Sequence, residues 1–164
     1  MRPRTRTLLR SYFADLVAAP RTKVKDLGRI RRDCPSIGGV YAIWNGMSGG
    51  RPIYVGETCH LNHRLRELSA MGRHAFFRTY IKANNISPVA PAKSSHPAWS
   101  RLTLSCLPME VGRAELEDFL VGVLEPDYNS KPVRLRMRAD AVDFERKAKW
   151  AAGSQRERGR DSSA

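Results

Sequence analysis

Two short apolar runs, Val40 to Trp44 and Ile53 to Val55, flank the segment Asn45-Gly46-Met47-Ser48-Gly49-Gly50-Arg51, which carries three glycines and an Asn-Gly pair. Strand-forming residues on either side of a glycine-dense connection predict a β-hairpin, and this constrains the fold more than any other stretch of the chain. The hairpin takes in two triplets that each hold a tyrosine and a glycine, Gly39-Val40-Tyr41 and Tyr54-Val55-Gly56. Pairing position 41 with 54 sets 44 opposite 51 and 39 opposite 56, leaves a loop near Gly46 to Gly49, and directs both phenol rings to one sheet face. Tyrosines also favour strands for packing alone, so the pair gains a functional meaning only in company with candidate residues elsewhere in the chain.

The segments around the hairpin read as helices and one further strand. Leu8, Tyr12, Leu16 and Val17 lie near helical spacing over residues 7–19, ahead of Pro20, and predict an amphipathic helix. Residues 21–33 are basic and weakly apolar and form a helix or turn leading through Pro35 into the hairpin. Beyond it, Leu61, Leu65 and Leu68 give a helix over about residues 60–71, with Thr58 as a cap and Arg64 beside the apolar stripe. An arginine at such an edge ordinarily reaches for water. Phe76, Phe77, Tyr80 and Ile81 mark a helix over residues 75–84 with His74 at its start. Residues 85–97, with Pro88, Pro91 and Pro97, read as a surface loop, and Trp99 to Leu107 alternates as a third strand.

The best helical pattern is Gly112 to Leu124, where Leu116, Phe119, Leu120, Val123 and Leu124 share a face and Pro126 closes the run. Glu117 falls among Leu120, Val121 and Leu124 on that wheel. A carboxylate in an apolar arc costs free energy unless a cation or hydrogen-bond donors accompany it. Arg113, one turn earlier, is the ordinary surface partner for it. Past residue 130 the chain is rich in arginine and lysine; a helix is expected over residues 140–150 and a polar, disordered end over residues 151–164.

A length of 164 residues and a hydrophobic fraction of 41% suit one domain with a real core. No apolar run approaches a membrane span, and the basic start is interrupted too soon for a secretory signal, so a cytoplasmic protein is expected. Cys34, Cys59 and Cys106 are scattered and odd in number, as reduced thiols are; Cys59, His60 and His63 lack a second ligand cluster and do not make a zinc site. The net charge of +13 is uneven: residues 1–32 contribute +8, residues 33–129 nothing, and residues 130–164 the remaining +5. A neutral body with cationic flanks suits a polyanion such as nucleic acid, where each Lys or Arg on a phosphate releases counterions. Charged flanks also serve solubility alone.

These residues, in this order, resemble the GIY-YIG endonuclease family. Gly39-Val40-Tyr41 is similar to its first signature and Tyr54-Val55-Gly56 to its second; Arg64 matches the arginine of the following helix, Glu117 the helical glutamate, and Asn129 the asparagine twelve residues later. The spacing is especially similar to the nuclease module of bacterial excision-repair subunits. The resemblance spans roughly residues 36–130 and divides the chain into a basic, partly helical extension (1–35), a nuclease core (36–130) and a basic helix with a tail (131–164). It implies an α+β fold, a small three-stranded antiparallel sheet flanked by helices.

It also implies hydrolysis of phosphodiesters, usually in DNA, with one Mg²⁺ or Mn²⁺ on Glu117. Tyr41 would deprotonate or orient the attacking water with help from Tyr54, Arg64 would hold the phosphate, and Asn129 would shape the site. The residue types suit that chemistry, because arginine offers a planar fork to phosphate oxygens and a hard divalent ion prefers a carboxylate. Two positions depart from the family. Leu68 stands four residues after Arg64, where many members have His or Tyr, leaving His74 as a substitute for proton transfer or as an exposed helix-start histidine; Glu57 stands where some have lysine. The competing readings are a nucleic-acid-binding module without turnover and an RNA-directed nuclease.

Overall fold

A computed structural model describes residues 3–30, 34–47, 49–70, 74–88, 90, 93 and 95–129; the helix and tail expected beyond residue 130 lie outside them. In chain order the elements are α1 (Pro3–Ala18), β1 (Thr22–Lys23), a 3₁₀ turn (Val24–Asp26), α2 (Leu27–Ile30), β2 (Gly39–Asn45), β3 (Pro52–Thr58), α3 (Leu61–Ser69), α4 (Ala75–Ala83), α5 (Pro97–Arg101), β4 (Leu102–Pro108) and α6 (Arg113–Leu124). The class is α+β, as expected.

The sheet is antiparallel, in the order β1-β4-β2-β3. It has four strands where three were expected, because Thr22 and Lys23 pair with Leu104 and Thr103 at the edge. A two-residue strand is too short to leave a periodic signal. Residues 1–35, read as an extension, thus supply an edge strand and, through Leu9 and Leu16 of α1, part of the core.

Strand β2 is central and buried on both faces from Gly39 to Trp44, which explains its unbroken apolar run. Val40, Ala42 and Trp44 pack with α1 and α6, whereas Tyr41 and Ile43 pack with α3, α4 and Trp99 of α5 on the other face. Trp44 is held by Ser105, whose hydroxyl accepts from Nε1 at 2.9 Å and donates to the Leu16 carbonyl at 3.0 Å, tying α1 to the sheet. Arg21 lies 3.8 Å over the Trp44 ring and donates to the Gly49 carbonyl, pinning the hairpin loop.

The hairpin forms in a register other than the expected one. Tyr41 pairs with Gly56 and Ile43 with Tyr54, and a bulge shifts the pairing so that Trp44 faces Pro52. The expected 41–54 pairing is corrected by two residues, an even slip that keeps both rings on one face. Gly56 sets the choice, since a Cβ there would lie 2.5 Å from the Tyr41 hydroxyl oxygen and 2.6 Å from Cζ. The third expected strand begins at Leu102 instead of Trp99, because Pro97 at the helix start and His96 as N-cap initiate α5.

Candidate functional site

Around the outer edge of β3 lies a cleft of about 250 Å³, lined by Tyr41, Tyr54, Gly56, Glu57, Arg64, His74, Ala75 and Glu117. Helix α6 packs on the sheet face opposite α3 and α4. Glu117 of α6 and the tyrosines of β2 and β3 therefore line the cleft from the two sides of the edge strand. The expected residues Tyr41, Tyr54, Arg64, His74 and Glu117 all line this one cleft, and Asn129 does not.

His74 and the phenols form a directed chain. His74 is the N-cap of α4, buried to 6% exposure, and its Nδ1 accepts from the Phe76 N–H at 3.2 Å. A neutral ring so engaged carries its proton on Nε2, which lies 2.7 Å from the Tyr41 hydroxyl oxygen and donates to it. The Tyr41 ring in turn packs against Tyr54, and the interaction of the two phenols raises the pKa of the first. Burial, then Arg64, pushes His74 down to about 4, so it is neutral at neutral pH. Of the two readings of this position, the exposed helix-start histidine is corrected: the ring is buried and hydrogen-bonded at both nitrogens.

Tyr41 is 1% exposed, and burial first, then Tyr54, raises its pKa far above the ordinary phenol value. Tyr54 is less buried and stands at the open end of the chain; burial raises it as well. The rings sit 6.1 Å apart between centroids and are tilted by 33°. An ordinary phenolate is hard to form in either position. The hydroxyls act as fixed hydrogen-bonding groups, with Tyr54 facing the cleft.

Across the cleft, Glu117 is half-buried, as its place on the helix predicts. Burial, then Glu57, then Asp118, pushes its carboxyl up to about 7. Arg113 donates instead to Glu57 at 2.9 Å and to the Glu110 carbonyl at 2.7 Å, so the one-turn ion pair considered for Glu117 is not the one formed. The Glu57 backbone and Arg64 favour the ionised form of Glu117 and offset part of the rise. Arg64 donates from Nη1 to Glu67 at 2.7 Å, while its buried Nε–H has no partner among the described residues. An unpaired guanidinium donor at a cleft wall invites an anion.

Asn129 has a different task. Its side-chain amide accepts from the Val55 N–H at 2.8 Å and donates to the Val55 carbonyl at 2.7 Å. With Tyr128 N–H on the Ile53 carbonyl at 3.0 Å, this occupies the outward-facing groups of the edge strand. Asn129 shapes the site by fixing the strand that carries Tyr54 and Gly56. Glu57, noted from sequence only as a departure from the family pattern directly after the second triplet, also lines the cleft.

The donors suit a hard divalent cation. Glu117 is a desolvated carboxylate beside two others, and among the described residues it makes no ion pair, since Arg64 and Arg113 are bonded to Glu67 and Glu57. Among the described residues no three His, Cys, Asp or Glu side chains group as metal ligands. A cation here would rest on one carboxylate and its own waters, a mode that magnesium accepts. Compared with family models, curated proteins and solved structures, the chain matches none.

Proposed function

We propose that this chain is a metal-dependent endonuclease of the GIY-YIG type that hydrolyses phosphodiester bonds in DNA. What carries the reading is the meeting of Tyr41, Tyr54, Arg64 and Glu117, distant in the chain, around one cleft. The α+β architecture with its tyrosine-bearing hairpin is compatible with that family's fold.

In this reading Arg64 takes a phosphate oxygen through the Nε–H that has no protein partner among the described residues. Glu117 holds Mg²⁺ or Mn²⁺, and when bound that ion supplies positive charge against the non-bridging oxygens. Tyr54 accepts from and orients the attacking water. His74 fixes Tyr41 by a hydrogen bond and both rings pack against Tyr54, so the position of the water is set by a phenol held between two anchored rings. This ordering assigns the water-facing role to Tyr54 and a positioning role to Tyr41.

A binding module without turnover is the second reading, favoured by the single unpaired carboxylate and the raised phenols. Labelled duplex, flap and single-stranded DNA, each incubated with Mg²⁺ or EDTA, separates the two. Cleavage that needs Mg²⁺ and is lost in Glu117→Ala is the expected result. Binding without cleavage of any substrate would establish the module, and cleavage of structured RNA alone would redirect the reading to RNA.

A further inference from the structure

The two walls of the cleft differ in charge. On one side stand Glu57 and Glu117, with exposed Glu115 and Asp118 on the same helix as Glu117. On the other, Arg64 and Ala75 line the cleft, and α4 continues away from it with Arg78 and Lys82 exposed. Phe76, Phe77 and Tyr80 turn the opposite side of α4 into the core. At about 100° per residue, Arg78 and Lys82 fall within about 60° of Ala75 on the helix surface, so they extend the cleft wall along the helix.

Neither cation has a carboxylate partner among the described residues, whereas Arg51, Arg64 and Arg113 are each paired. The row from Ala75 to Lys82 covers roughly 10 Å at ~1.5 Å per residue. One strand of nucleic acid carries a phosphate every ~3.4 Å of axis, so this length matches about three phosphates. A polyanion entering the cleft is repelled by the α6 wall and attracted by the α4 wall.

We propose that the outer face of α4 is a phosphate track: the DNA strand whose phosphate occupies the cleft runs along this helix, with Arg78 and Lys82 on its flanking phosphates. The proposal rests on the nuclease reading and adds the path of the substrate. It makes α4 a binding element, with His74 at its cleft end serving the phenols and its exposed ridge serving the backbone.

The test measures affinity of the full chain for a labelled single-stranded 20-mer DNA in EDTA over a series of KCl concentrations, with cleavage in Mg²⁺ recorded separately. Arg78→Gln/Lys82→Gln should weaken binding several-fold and make the slope of log affinity against log salt shallower by roughly 1.4, at ~0.7 for each phosphate no longer neutralised. The charge-conserving Arg78→Lys/Lys82→Arg should keep the wild-type slope. An unchanged slope in the Gln double variant, with wild-type binding and cleavage present, overturns the track and leaves the nuclease reading standing. Absence of both binding and cleavage in the wild-type protein removes the two together.

Discussion

Acid should unfold this protein through His74, and the effect should be visible only when a second group is silenced. The unfolded imidazole takes up its proton near its ordinary value of 6.5, whereas the folded one does so at about 4 because the ring is buried and faces Arg64. Between those values the unfolded state holds the extra proton. Stability from this group is therefore complete above pH 6.5 and lost as pH falls towards 4. At ~1.36 kcal/mol per unit the loss sums to about 3 kcal/mol. Glu117 works in the other direction, its ordinary value of 4.5 being pushed up to about 7 by burial and by Glu57. Its contribution is complete below pH 4.5 and fades as pH rises through 7, so the two slopes oppose each other through most of the window.

The informative comparison is thus Glu117→Gln against Glu117→Gln/His74→Asn. Asparagine can still accept from the Phe76 N–H as an N-cap, but it has no proton to gain. Urea denaturation in EDTA at half-unit steps from pH 7.5 to 4.5 gives both profiles, and groups common to the two variants cancel. The stability advantage of the His74-containing protein should decline by about 1.4 kcal/mol per unit below pH 6.5. Parallel profiles would refute the claim that a neutral, buried His74 underlies the phenol chain.

Three substitutions test the rest of the architecture. Gly56→Ala should displace the Tyr41 ring, cost about 1–3 kcal/mol in thermal unfolding and suppress metal-dependent cleavage, because the new Cβ would stand 2.5 Å from the hydroxyl oxygen. Asn129→Ala should cost about 1–3 kcal/mol by leaving the Val55 N–H and carbonyl unpaired, and faster amide exchange at Val55 should report it. Ser105→Ala should cost a similar ~1–3 kcal/mol, since Trp44 Nε1 and the Leu16 carbonyl then lose their buried partner, and a red-shifted tryptophan emission is the accompanying signal.

What could be read from sequence was whatever a period or a local turn dictates. Apolar runs around a glycine-dense connection marked β2 and β3, alternation marked most of β4, the leucine repeats marked α3 and α6, and the wheel of α6 left Glu117 half-buried. Non-local packing hid the rest. The hairpin register depends on the fit of Tyr41 over Gly56 and on a bulge at Pro52, neither of which has a periodic trace. His74 looked solvent-facing because a helix-start position is ordinarily wet; it is buried by Tyr41, Tyr54 and Phe77, which come from two strands and its own helix.

The spacing between Glu117 and Asn129 now has a structural cause. Strand β3 is an edge, and its outward backbone groups at Ile53, Val55 and Glu57 need partners that no neighbouring strand supplies. The segment from α6 to residue 129 supplies them for the first two: Asn129 takes both groups of Val55 and Tyr128 N–H the Ile53 carbonyl, while Glu117 lies in the same cleft as Glu57. Arg51 at the near end of the strand donates to the Leu124 carbonyl and to Asp127, closing the same seam. A helix must run past the edge, turn at Pro126 and return along it, which accounts for a separation of twelve residues between a carboxylate in the cleft and an amide clasped to Val55. The carboxylate is therefore brought to the tyrosines by the same interactions that cap the sheet, so loosening the Asn129 clasp should move Glu117 and Tyr54 apart even though Asn129 does not line the cleft.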